Sequence, residues 1–164
     1  MLRKIAARWF ALATLVVVGM LALGGPDGAL AAATCRKVEG KLTLQALDPS
    51  TCPSPVGLCA AGTYRGGIKG TSAFTGTSFI QTADTPATAV VIATGDNTIA
   101  AEGGTLLTKD AIVLQTVGDG HFAEVDTVIG GTGEWAGAAG TLQATGTFAN
   151  GSGAGTYQGE ICTP

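Results

Sequence analysis

"TLQATGTF", residues 141–148, alternates without a break. Leu142, Ala144, Gly146 and Phe148 fall on one side, and Thr141, Gln143, Thr145 and Thr147 fall on the other. Period two over eight residues is the pattern of a β-strand with one buried face. Working outward, "TYQGEI" at 156–161 puts Tyr157, Gly159 and Ile161 on one face, and "TYRGGIKG" at 63–70 does the same with Tyr64, Gly66, Ile68 and Gly70. The two stretches echo each other as GTYQGEI and GTYRGGI. Further strands are expected over residues 38–47, 72–81, 87–94, 97–107, 111–117 and 120–129. Turn residues separate them: Thr85-Pro86, Gly95-Asp96-Asn97, Thr108-Lys109-Asp110, Gly118-Asp119-Gly120 and Asn150-Gly151-Ser152-Gly153. No stretch of a dozen residues carries an apolar stripe at helical spacing. Eight or nine short strands joined by tight turns predict an all-β domain, and a closed antiparallel β-barrel of about eight strands is preferred to a sandwich. Closure removes the exposed edges that a Thr-rich sheet would otherwise present.

The chain begins differently. Arg3, Lys4 and Arg8 precede an uncharged run from Trp9 to Leu23, then Gly24-Gly25-Pro26 and the small residues Ala29 to Ala33. That order is a signal peptide, residues 1–33, with cleavage after Ala33 or Ala31. An apolar run of about 15 residues is shorter than the roughly 20 that span a bilayer as a helix. Residues 34–164 then form a single domain in a secreted or periplasmic protein. Removing Arg3, Lys4 and Arg8 from the nine basic residues, and Asp27 from the twelve acidic ones, leaves six against eleven. A net charge of about −5 lacks the basic face that nucleic acid requires, and no membrane association is expected after cleavage.

Four cysteines remain, Cys35, Cys52, Cys59 and Cys162. An even number in an exported chain predicts two disulfides, with three connectivities open. Cys52 and Cys59 flank the turn-rich Pro53–Leu58, and Cys35 and Cys162 stand near the two ends of the mature chain, which favours Cys52–Cys59 and Cys35–Cys162. The second would close a loop worth about 4–5 kcal/mol of chain entropy. No metal site is assigned, since a zinc site lacks histidines beside His121. Thr34 stands where a lipidated Cys35 would need a small residue.

"GGTGEWAGAAG", residues 130–140, contains a G-x-G-x-x-A pattern after an apolar run. A dinucleotide turn would open a helix and be followed by an acid about 20 residues on. Here a period-two strand follows, so a glycine-mediated bend between strands is expected and no cofactor is called for. The same residues, with the Thr-rich strand and the terminal Y-x-G-x-I strand after them, resemble the G-G-T-G-x-F-x-x-A-x-G segment of the allene oxide cyclase and dirigent superfamily. The match covers about 30 residues, with Trp135 in the aromatic place. The resemblance implies an eight-stranded barrel, often dimeric or trimeric, holding an apolar small molecule in a central cavity, and in plant members guiding cyclisation or radical coupling without a cofactor. Ala136 and Ala139 stand where plant dirigent sequences commonly carry arginine.

An eight-stranded barrel is either filled by its own side chains or holds one small ligand. Tyr64, Phe148, Tyr157 and Trp135 are the candidate lining residues, with Gly66, Gly70, Gly146 and Gly159 leaving volume beside them. Glu102, in the apolar run Ile99–Leu106, and His121, at a barrel mouth, are the candidates for acid–base chemistry. On the strand over 120–129 the more apolar face, carrying His121, Ala123, Val125, Thr127 and Ile129, is expected to turn inward, leaving Glu124 and Asp126 in solvent. The functional expectation is an apolar small-molecule binder, with a cofactor-free cyclase or isomerase as its catalytic form. The alternative is a structural or adhesive protein with a filled interior.

Overall fold

The computed structural model describes residues 33–82 and 89–164. Eight strands follow one another: β1 (Thr34–Ala46), β2 (Cys59–Gly66), β3 (Gly70–Gln81), β4 (Val90–Ala101), β5 (Gly104–Gln115), β6 (His121–Gly133), β7 (Ala139–Ala149) and β8 (Ser152–Thr163). Each pairs antiparallel with the next, and β8 returns to β1, so the sheet is the expected closed barrel. The signal-like residues 1–32 and the expected turn at Thr85-Pro86 lie outside the described residues.

Closure is made by a long ladder in which Thr34 faces Thr163 and Gln45 faces Ser152. Within it Cys35 stands opposite Cys162, and the two are joined by a disulfide. Cys52 and Cys59 form the second, closing the loop between β1 and β2.

The up-and-down order gives the barrel two unlike ends. The connections β1–β2, β3–β4, β5–β6 and β7–β8 lie at one; β2–β3, β4–β5 and β6–β7 lie at the other, together with the start of β1 and the end of β8. The second end is plugged. Val38, Ile68, Ile99, Leu106, Val128 and Ile161 are buried there with Trp135 and Ala138, each large aliphatic side chain contributing roughly 1.5–3 kcal/mol by leaving water. The bend after β6 supplies Trp135. Its backbone runs through successive tight turns, with Trp135 N–H donating to Thr132 O at 3.1 Å and Ala138 N–H to Trp135 O at 3.0 Å, and no helix follows. Gly133 takes φ 62°, a conformation that side-chain-bearing residues rarely adopt.

Two expected turns are absent. Residues 87–94, 97–107 and 111–117 do not form three strands; β4 runs through Gly95-Asp96-Asn97, β5 runs through Thr108-Lys109-Asp110, and the turn falls between them at Glu102-Gly103. These polar and small residues serve the barrel instead. A Cβ at Gly95 would lie 2.4 Å from the Phe74 ring, so glycine is what lets that ring pack. Asp96 and Lys109 pair on the outer surface, whereas Asn97, Thr108 and Asp110 are buried inside.

The two disulfides should differ in worth. By chain entropy, Cys35→Ala/Cys162→Ala is expected to cost about 5 kcal/mol and Cys52→Ala/Cys59→Ala about half that, read as unfolding free energies from denaturant titration.

Candidate functional site

The barrel is hollow at its unplugged end. A cavity of about 150 Å³ is lined mainly by apolar side chains, among them Leu44, Tyr64, Phe74, Val91, Phe122 and Phe148. Phe79 also lines it and is 48% exposed, which marks where the cavity reaches solvent. Small residues on three neighbouring strands leave the space: Ala60 on β2, Ser72 on β3 and Ala93 on β4. The glycines expected to do this do not. At Gly70 and Gly159 a Cβ would meet neighbouring backbone at 2.1 Å, and at Gly146 it would meet backbone at 2.2 Å and the Phe122 ring at 2.8 Å. Those positions allow close approach of strands and rings.

Of the four expected lining residues, Tyr64 and Phe148 line the cavity. Tyr157 and Trp135 do not, because both spend their polar atoms on plugging the other end. The Tyr157 hydroxyl accepts from Ile68 N–H at 2.7 Å and donates to Ile68 O at 3.1 Å, and its ring lies 5.1 Å from that of Tyr64. The echoed segments GTYRGGI and GTYQGEI thus meet inside the barrel through their tyrosines. Trp135 donates its indole N–H to Glu102 O at 3.1 Å, under the Arg36 guanidinium 4.0 Å from the ring centroid.

Glu102 and His121 are exposed. Glu102 stands in the β4–β5 turn at the plugged end, its carboxylate 3.8 Å from Lys69 Nζ at the surface. His121 opens β6 at the hollow end but points outward. The expected orientation of β6 is reversed throughout: Phe122, Glu124, Asp126 and Val128 are buried, whereas Val125 and Ile129 are 49% and 54% exposed. Register explains it. Residues opposite one another in an antiparallel pair share a face, and β7 presents Leu142 opposite Asp126, Ala144 opposite Glu124 and Gly146 opposite Phe122. With β7 turned by Leu142 and Ala144, β6 has no freedom to turn the other way.

A polar layer therefore crosses the barrel between hollow and plug. Asp110 on β5 faces Asp126 across the ladder, with Glu124 two residues along and lining the cavity. Asn97 on β4 joins them, opposite Thr108. The Thr108 hydroxyl donates to Asp110 Oδ1. Carboxyl oxygens of Asp110, Glu124 and Asp126 lie within 4.8 Å of one another, near enough to share protons or to hold one ion. Every Lys and Arg among the described residues is exposed, so no basic side chain answers these acids from within. Burial is the largest cause raising all three carboxyls. Asp110, held down by hydrogen bonds from Thr108 and Asn97, rises to about 6; Glu124, beside the Asp110 charge, to about 8; Asp126, beside both, to about 10. Burial and then the charges of Asp126, Glu124 and Asp110 push the Tyr64 hydroxyl well above its ordinary value.

No family model matches this chain, and none of the curated proteins or solved structures compared with it matches either.

The polar layer makes stability pH-dependent. In buffer stripped of divalent ions the folded state keeps protons that the unfolded chain releases near about pH 4, so stability is fullest at low pH and falls as the pH rises through the raised values. Calorimetry between about pH 5 and about pH 9 is expected to show Tm falling by roughly 10 °C or more, with a shallower fall in Asp126→Asn.

Proposed function

We propose that this barrel is an exported binding protein whose cavity takes an apolar small molecule. The observation that carries the reading is the hollow itself: apolar walls with a few polar groups, Ser72, Asn97, Thr116 and Glu124, the composition typical of small-molecule sites. Its volume of about 150 Å³ sets the ligand's size. An apolar protein cavity of about that volume stays dry and binds benzene, so the fitting ligand has about one ring, with an oxygen or nitrogen function turned toward Glu124.

Three further features support the reading. The two disulfides suit an oxidising compartment, in keeping with the signal-like N-terminus. The closed eight-stranded barrel agrees with what a resemblance to the allene oxide cyclase and dirigent superfamily implies. An interior hollow is at odds with a purely structural barrel packed solid. For the cyclase or isomerase form, Glu102 and His121 are on the wrong side of the wall, and Glu124 is the ionisable group that lines the cavity.

Native mass spectrometry of the protein isolated from its own secretions, together with uptake of an apolar fluorescent probe, tests the proposal. A bound small molecule, or probe binding weakened at least about tenfold by Ala93→Phe, which fills the hollow without touching the plug, is the expected result. Probe binding equal in both proteins, with no ligand retained, would overturn it.

A further inference from the structure

Among the described residues, four buried side-chain oxygens of one layer receive no N–H or hydroxyl donor: Asn97 Oδ1, Asp110 Oδ2, and both carboxyl oxygens of Asp126, which has only the neighbouring Glu124 carboxyl to share a proton with. Asp126 is 1% exposed, Asp110 2% and Asn97 6%. Leaving a buried acceptor unpaired costs about 1–3 kcal/mol, and more where it is charged. What such a set lacks is positive charge.

We propose that the polar layer is a calcium site, with Asp110, Glu124 and Asp126 as carboxylate ligands and the Asn97 side-chain carbonyl as a neutral one. Four arguments converge on it. The donors are all hard oxygens, which select calcium, magnesium or manganese over softer metals. Ligands on opposite sides of a calcium ion stand about 4.6–5.2 Å apart, twice its usual bond length, and the three carboxylates have oxygens within 4.8 Å of one another, so one coordination sphere can span them. Asn97 comes from a different strand and carries no charge; its amide lies beside Asp110, to which it donates, and its own buried carbonyl oxygen is left without a partner in the same layer. Thr108 donates to Asp110 Oδ1 and leaves Oδ2 free, so the hydroxyl orients a carboxylate whose other oxygen is open.

Calcium is preferred to magnesium on coordination grounds. Magnesium dehydrates reluctantly and usually keeps several waters, whereas calcium accepts mixed carboxylate and carbonyl ligands in irregular geometry. Entry runs through the cavity, since Glu124 lines it and belongs to the cluster.

The protein, chelated and returned to calcium-free buffer near neutral pH, is titrated with calcium chloride while Tm is followed, and separately with terbium, whose luminescence nearby aromatic rings such as Tyr64 would sensitise. One ion per chain and a rise in Tm of roughly 5 °C or more at millimolar calcium are expected, with calcium displacing terbium. Asp126→Asn and Glu124→Gln should each fold, since each replaces a carboxyl that is protonated without the ion by a neutral side chain of the same shape, and each should weaken calcium binding at least about tenfold. Should one variant fail to fold, the other and the terbium titration of the unaltered protein decide. No rise in Tm with calcium, an equal rise in both variants, or magnesium acting at the same concentration as calcium would overturn the assignment.

Discussion

The pairing of β1 with β8 is the contact on which everything else rests. Every other ladder joins strands adjacent in sequence, whereas this one brings together residues from opposite ends of the domain. Without it the sheet would have two open edges and no interior. With it, each strand acquires an inner and an outer face, and the alternation in the sequence becomes a division between a sealed space and solvent. The disulfide between Cys35 and Cys162 lies inside this ladder and makes its closure covalent.

Once the sheet is closed, side-chain size decides what each level contains. Branched aliphatics and Trp135 fill the level where β1 begins and β8 ends. Ala60, Ser72 and Ala93 leave a gap near the opposite rim. Between them the barrel carries a layer that hydrophobic packing alone would never select. Two aspartates face each other across a ladder, an arrangement that repels unless something neutralises it. A protein that retains so unfavourable a grouping at its centre is stabilised there by bound protons or a bound cation, and the layer is the chemically distinctive part of the interior.

The outline of this fold was legible from residues alone, and the reasons are local. Period two on residues 141–148 and 156–161, the cysteine spacing and the absence of a helical stripe each report on one strand or one loop. The polar layer was misread for a physical reason as well. Asn97, Thr108 and Asp110 are residues that ordinarily mark turns, and on β6 an apolar-inward rule turns Val125 and Ile129 to the core. Both inferences assume that a barrel interior is uniformly apolar. The orientation of β6 was recoverable by pairing it with β7, whose inward Leu142 and Ala144 were already evident, but only once the length of the bend around Trp135 was known. Conversely, Tyr157 and Trp135 were sorted correctly as interior and wrongly as lining, because alternation gives the face of a strand but not the height along the barrel axis.

The two ends of the barrel have different neighbours. Thr34 and Thr163 both sit at the plugged end, fastened to each other through the adjoining disulfide, while the cavity reaches solvent at the far rim beside Phe79. Anything tethered to either end of the domain, whether a surface, a carrier or a second module, would hold the barrel with its mouth facing away from the point of attachment. The barrel is thus polarised, its mouth opposite the start of β1 and the end of β8, and immobilisation at either of those points should leave its opening unobstructed.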